Sequence, residues 1–341
     1  MAKWLEIFPV PERSPAHHVR DLTLSLGGHL SAPETFFEHT PWFTNVETMT
    51  LLGYGWFLPL SMSPSAKLPQ STTSLIINTD AVAVTQIRDI MAQLPNLNHL
   101  TLSGTVPFDS STLSGMGTVL RGRFGGQLRL INGNAGPDVT NMLLEIPTGL
   151  HFTEVEIHGT YECLLSTVRL AESCVNTLVK LSYMVSLHGK SHRFSLPSWF
   201  SCLKILILTV FPGADGREPF ERSFDCSIFP NLQEVNFRIG WITGSLRWIP
   251  MALSTLKPTT SPRLSAVLLN FFDPPSGFRS TEVSIEEVGN DLRQVADEVT
   301  RIKGEFKGMV NLTVCRDLLF KGVLDTHHVW VYFPRRQRRT S

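Results

Sequence analysis

The chain has 341 residues, of which 42% are hydrophobic and 18% charged, and its 30 basic residues balance its 30 acidic residues. This composition is that of a globular protein, and it excludes a disordered chain, a collagen-like chain and a coiled-coil rod. The balanced charge argues against a dedicated nucleic-acid-binding protein, because neutralising phosphates requires an excess of cations.

Targeting signals and disulfide patterns are not visible in the sequence. No run of about 20 apolar residues is present, and the first residues lack the charged start and apolar stretch of a signal peptide. The five cysteines form no close pairs, so the sequence does not predict a disulfide scaffold. These features favour a reducing compartment, the cytosol or the nucleus.

An apolar pattern recurs along most of the chain at a nearly constant interval. Each copy is six residues long. Its first, fourth and sixth residues are apolar and the other three vary, as in 97–102 and 203–208. The middle apolar residues of the copies are Leu22, Met49, Leu75, Leu100, Leu128, Val155, Leu181, Leu206, Val235 and Val267. Apart from a longer last interval, their spacing of about 27 residues is typical of leucine-rich repeats. The alternation predicts one short strand per copy with one face buried.

Amphipathic segments follow several of these predicted strands. Residues 85–94, 138–146 and 161–175 have apolar side chains three or four positions apart, which predicts helices. Residues 53–70 and 212–227 are rich in Pro, Gly and Ser and predict loops in place of helices.

Because one strand and one helix cannot bury both their faces alone, neighbouring repeats must stack. The sequence therefore predicts an α/β fold, a curved leucine-rich-repeat-like solenoid of about ten degenerate repeats with a parallel sheet on its concave face. The repeats are degenerate because the Asn or Cys that normally follows such a strand is missing at almost every copy.

The C-terminal part predicts a different element. Residues 284–307 combine a capping box at Ser284 with apolar residues at helical spacing, and indicate one long helix. We interpret it as a cap on the open end of the stack, with a partner-binding seam as the alternative. The predicted organisation is an N-terminal segment at 1–16, the solenoid at 17–275, the cap at 276–330 and a basic tail at 331–341.

Motifs for catalysis, cofactors and metals are weak. Gly189-Lys190-Ser191 resembles the end of a phosphate-binding loop, but Met184 stands where the loop needs a glycine. The Gly-rich residues 115–126 do not have dinucleotide-binding spacing and predict a flexible loop between repeats. Histidine and cysteine spacing does not fit a zinc site, and the cysteines are predicted to be small buried side chains. We predict no catalytic residue, cofactor or metal; a nucleotide-dependent parallel α/β enzyme is the alternative hypothesis.

The concave face is the predicted binding surface. The variable residue between the last two apolar positions of each copy points into it, which gives the row Thr23, Thr50, Ile76, Thr101, Arg129, Glu156, Ser182, Ile207, Asn236 and Leu268. The middle of the face is the predicted site: Thr101, Arg129, Glu156 and Ser182, with His99, Gln127, Glu154 and Lys180 two residues earlier. Arg129 and Glu156 either pair across adjacent strands or contact a partner.

A family resemblance adds a function to this fold. Residues 4–8 (WLEIF) and 14–22 (SPAHHVRDL) resemble a recurrent phrase of fungal F-box-associated proteins, in which a degenerate leucine-rich-repeat region follows an F-box. The resemblance covers about residues 3–320. It implies a substrate-recognition subunit of a Skp1–cullin ubiquitin ligase whose repeats hold the target.

The chain departs from this family at its beginning. Only about 18 residues precede the first predicted strand, and none matches an F-box. The chain is therefore either a truncated F-box protein or a paralogue that lost the module. We expect an unidentified protein target, and Skp1 and cullin only if an F-box is supplied outside the visible pattern; nucleic acid and membrane are not expected partners. A decayed paralogue without a partner is a further alternative.

Overall fold

The computed structural model of the chain describes residues 14–25, 42–53, 67–79, 82–103, 116–133, 137–160, 164–186, 200–211, 224–240, 246–272, 285–307 and 309–316. No helix within these ranges has both the length and the apolar character needed to cross a lipid bilayer.

Within these ranges the fold contains one sheet of eleven parallel strands that follow one another in chain order. The strands are β1 (Asp21–Ser25), β2 (Thr48–Gly53), β3 (Ser74–Thr79), β4 (His99–Ser103), β5 (Gln127–Gly133), β6 (Glu154–Thr160), β7 (Lys180–Ser186), β8 (Ile205–Phe211), β9 (Glu234–Gly240), β10 (Ala266–Phe272) and β11 (Asn311–Arg316). The predicted α/β class with a parallel sheet is therefore confirmed.

Five α-helices accompany the strands within the described ranges: α1 (Val84–Ala92), α2 (Pro137–Leu144), α3 (Leu164–Ser173), α4 (Trp248–Ser254) and α5 (Ile285–Glu305). The first three match the predicted segments 85–94, 138–146 and 161–175, and the fifth matches 284–307. The predicted apolar face of segment 85–94, Ile87, Ile90, Met91 and Leu94, is buried, and Val84 at the start of α1 is buried as well. Helix α4 was not predicted.

Short 3-10 helices occupy Pro15–His18, Met116–Val119 and Cys226–Ile228. The second lies in the Gly-rich segment 115–126, for which the sequence predicted only a flexible loop. The third lies at the end of the predicted loop 212–227, whose residues 212–223 are outside the described ranges, as is most of the predicted loop 53–70.

The chain divides into two compact units, residues 1–177 and 178–341. The first unit contains β1–β6 and α1–α3, and the second contains β7–β11, α4 and α5. Every predicted middle apolar residue is the second residue of its strand. Within the first unit these residues pair in register from Leu22 to Val155, and within the second from Leu181 to Val267 and on to Leu312 of β11.

The two faces of the sheet differ in burial. From β2 to β10 the second and fourth residues of each strand are buried and form the core, as in Leu100 and Leu102 of β4. The first, third and fifth residues alternate onto the opposite side, which we call the open face. In the first unit all open-face residues are partly or fully exposed.

Asparagines placed before the strands connect successive repeats. Asn45, Asn96 and Asn231 each lie three residues ahead of a strand, and their Nδ2 groups donate to main-chain carbonyls of the preceding repeat, at His17 (2.7 Å), Gln70 (3.0 Å) and Ser201 (2.6 Å). The last two belong to the Pro-Asn-Leu sequences at 95–97 and 230–232. These bonds link repeats at the beginning of the strand, although the usual Asn after the strand is missing.

Helix α5 lies alongside α4 and places an acidic side chain near the N-terminus of α4 and a basic side chain near its C-terminus. Asp291 Oδ2 accepts a hydrogen bond from the Leu246 N–H, 2.9 Å away and just before α4 begins. The Arg301 guanidinium donates to the carbonyls of Leu253 (2.8 Å) and Leu256 (3.2 Å), where α4 ends. A negative group near a helix N-terminus and a positive group near its C-terminus are both stabilising.

The segment 276–330 supplies more than the predicted helical cap. Leu292, Val295 and Ile302 of α5 are buried, as the helical spacing predicts. After α5 the chain forms β11, which pairs in parallel with β10 and extends the sheet beyond residue 275. Residues 309–314 fit the apolar pattern, but Leu312 follows Val267 by 45 residues instead of about 27, so the repeat spacing did not predict β11. Ser284, the predicted capping residue, lies outside the described ranges.

Candidate functional site

The open face of β4, β5 and β6 brings together six of the eight predicted site residues. Thr101, Arg129 and Glu156 are the third residues of these strands and lie side by side in register. His99, Gln127 and Glu154 are the first residues of the same strands. All six side chains are partly exposed, so the first unit presents a polar surface three strands wide.

A charged cluster of Arg129, Glu156 and His158 occupies the centre of this surface. Arg129 Nε donates to Glu156 Oε2 at 2.7 Å, and His158 Nε2 lies 3.0 Å from Glu156 Oε1. Each carboxylate oxygen thus has its own partner. The pairing that the sequence left open between Arg129 and Glu156 is present in the structure.

The charged cluster changes the acidity of Glu156. Burial by itself would raise the pKa of this carboxyl, but the hydrogen bonds and positive charge supplied by Arg129, with a further contribution from His158, hold it below its usual value. Because an ionised carboxylate accepts the Arg129 and His158 hydrogen bonds best, the cluster stays in its paired form at neutral pH.

The His99 ring is held by the turn that precedes β5. The main-chain N–H of Gln127 donates to His99 Nδ1 at 3.0 Å, and Asn98 Nδ2 lies 3.3 Å from His99 Nε2. Gly126 lies directly against this ring: a Cβ there would overlap the imidazole and come within 2.8 Å of Asn98 Nδ2. Asn98 Oδ1 in turn accepts the Gly125 N–H at 2.9 Å. His99 is therefore a fixed part of the surface.

The remaining predicted residues, Lys180 and Ser182, lie on β7 in the second unit. Their register partners on β8 are Ile205 and Ile207. The second unit therefore places these two polar residues beside apolar neighbours, unlike the continuous polar surface around Arg129.

Sequence analysis missed His158. It lies two residues after Glu156 on β6, and the period-two alternation that placed Glu154 and Glu156 on one face places His158 there too. The signal was available, but only the residues between the apolar positions and those two residues earlier were considered.

Other candidate chemistry is limited among the described residues. Their histidine, cysteine, aspartate and glutamate side chains form no group of three that could hold a metal ion. Burial raises the pKa of the Cys174 and Cys226 thiols, which disfavours their reactive thiolate forms. Gly189-Lys190-Ser191 and the basic tail 331–341 lie outside the described ranges.

The chain was compared with protein-family models and with curated proteins. No family model matches it, and no curated protein matches it.

Proposed function

We propose that this chain is a non-enzymatic scaffold that binds a protein target through the open face of its sheet. The observation that carries the proposal is the surface of β4, β5 and β6, where the charged cluster and four further polar side chains lie on neighbouring strands of the open face. The paired strands already hold the side chains of this surface in position. Binding of a partner therefore costs little conformational entropy. The charged cluster supplies the electrostatic pattern that selects one partner over another.

The solenoid shape and the number of repeats are part of the same proposal. We infer a curved, leucine-rich-repeat-like solenoid of about ten repeats with the open face as its concave side. The period of about 27 residues, the in-register apolar residues and the asparagine bonds between repeats support this inference. Repeat proteins of this kind bind along their concave surface.

The proposed class of function is target recognition of the type found in F-box subunits of Skp1–cullin ubiquitin ligases. The resemblance of residues 4–8 and 14–22 to fungal F-box-associated proteins supports it. The target itself is an unidentified protein, and docking to Skp1 requires an F-box that the visible pattern does not contain.

The experiment is affinity purification of the tagged chain from its native cell, followed by mass spectrometry, with three versions of the chain. Thr101→Arg places a long cation beside Arg129 on the open face, whereas Glu172→Arg introduces the same side chain, with a larger change of charge, at an exposed position of α3 in the same unit. We expect proteins recovered with the unmodified chain to be retained by Glu172→Arg and lost with Thr101→Arg.

The possible results separate the hypotheses. Recovery of Skp1 and cullin with the target supports the ligase role, and recovery of other proteins alone supports a stand-alone binding module. Equal retention by both variants contradicts the proposed surface. A failure of the unmodified chain to recover any protein favours the decayed paralogue.

A further inference from the structure

The open face of the second unit contains two polar side chains that are almost completely buried. Asn236, the third residue of β9, is 6% exposed, and Thr209, the fifth residue of β8, is 7% exposed. No open-face residue of the first unit is buried to this extent. Buried polar atoms are normally hydrogen-bonded. The hydrogen bonds of these two side chains therefore indicate their role.

Part of their hydrogen-bonding capacity is used within the protein. Asn270, the fifth residue of β10, donates from Nδ2 to Asn236 Oδ1 at 2.7 Å. In the part of the chain that the structure describes, the side chains of Asn236, Asn270 and Thr209 make no further hydrogen bond. A donor, an acceptor and a hydroxyl therefore remain available on neighbouring strands.

The surroundings define the chemistry of a ligand. Asn236 lies in register between Ile207 of β8 and Leu268 of β10, both apolar and partly exposed. The charged open-face residues of β9 itself have opposite signs: Glu234 lies two residues before Asn236, and the exposed Arg238 lies in register between Thr209 and Asn270. The site therefore combines apolar neighbours beside Asn236 with charges that cancel, which favours a peptide segment over an ion or a nucleic-acid backbone.

We propose that Asn236 and Asn270 form a binding site for a main-chain amide of an extended, apolar segment of a partner protein. In an extended segment the N–H and C=O of one residue point to the same side. That residue donates to Asn270 Oδ1 and accepts from Asn236 Nδ2, while the Thr209 hydroxyl serves an adjacent peptide group. The apolar side chains of the segment contact Ile207 and Leu268. This site lies in the second unit and is independent of the charged cluster.

The test is nuclear magnetic resonance of the full, ¹⁵N-labelled chain, which resolves the side-chain amide signals of Asn236 and Asn270. The probe is N-acetyl-leucine N′-methylamide, and the matched control probe is the same molecule with both nitrogens methylated, which lacks N–H donors. We expect the first probe to shift both signals, and the second to bind about fivefold more weakly, as loss of one hydrogen bond predicts.

Three variants assign the effect to named atoms. Asn236→Asp removes the donor and keeps the acceptor for Asn270, and Thr209→Val removes the hydroxyl with little change of shape; each is expected to weaken binding several-fold. Asn78→Asp makes the first change at an exposed fifth position of β3 in the first unit and is expected to leave binding unchanged. If Asn236→Asp does not fold, probe binding by Thr209→Val tests the site instead.

Three results would overturn the proposal. The first is the absence of any shift of the Asn236 and Asn270 signals up to the solubility limit of the probe. The second is equal binding of the two probes, which would mean that only apolar contact is recognised. The third is stronger binding by adenine than by the leucine amide, because an Asn carboxamide also recognises adenine and the ligand would then be a nucleobase.

Discussion

The two units carry different polar groups on the open faces of similar strands. In the first unit the ion pairs of the charged cluster lie on the open face, around Glu156. In the second unit the open face around Asn236 has apolar neighbours and neutral carboxamides, and Arg301 forms ion pairs on the helical side with Glu298 and Glu305. One repeat geometry therefore supports two surfaces, because only the second and fourth strand positions are required for the core.

The largest expected loss of stability comes from substituting Gly126 in the first unit. An Ala side chain there would overlap the fixed His99 ring, and such overpacking costs about 3 kcal/mol of unfolding free energy. Urea denaturation of Gly126→Ala measures this loss. In the second unit, Gly304→Ala has open space around the new Cβ and should gain about 0.5 kcal/mol from helix propensity. A tolerated Gly126→Ala would contradict the tight fit of His99.

The next largest effect is expected at Arg301. Arg301→Ala removes the guanidinium bonds to the Leu253 and Leu256 carbonyls at the end of α4, with an expected loss of about 2 kcal/mol. Arg129→Ala removes a partly exposed ion pair on the open face, with an expected loss of about 0.5 kcal/mol. Equal losses in urea denaturation would mean that the two units do not use their charges differently.

The asparagines before the strands allow a matched test in both units. Asn231 is partly buried and its bond to the Ser201 carbonyl is short, whereas Asn96 is exposed. We expect Asn231→Ala to lower the unfolding free energy by about 1.5 kcal/mol and Asn96→Ala by about 0.5 kcal/mol. Thermal or urea unfolding of the two variants ranks them, and the reverse order would show that exposure does not control this bond.

The smallest expected effect is the pH dependence of the charged cluster. Because the pKa of Glu156 is lowered in the folded chain, its ionised form stabilises the fold above the unfolded-state pKa. That stabilisation is lost as the pH falls through the folded-state value. Between about pH 6 and pH 3 the unfolding free energy of the unmodified chain should therefore fall more than that of Glu156→Gln. Parallel pH profiles of the two proteins would contradict this.

Part of the candidate site could be predicted from the sequence. The apolar alternation placed Thr101, Arg129 and Glu156 on one face, and the repeat period placed them side by side. It could not decide whether Arg129 would pair with Glu156, because that depends on side-chain rotamers and on strand register. The partners of Asn236 and Arg301 lie 34 and about 45 positions away along the chain, beyond the reach of any local pattern.

The sequence by itself determined strands β1–β10 and, from β2 to β10, the residues that face the core, since burial of alternating apolar side chains is a local pattern repeated about every 27 residues. It also determined helices α1, α2, α3 and α5 through their apolar spacing. Only the tertiary structure decided that β11 joins β10, that α5 matches both ends of α4, and that Asn270 bonds to Asn236. Hydrophobic burial needs only the right kind of residue, whereas a hydrogen bond needs two particular atoms within about 3 Å, and folding brings those atoms together.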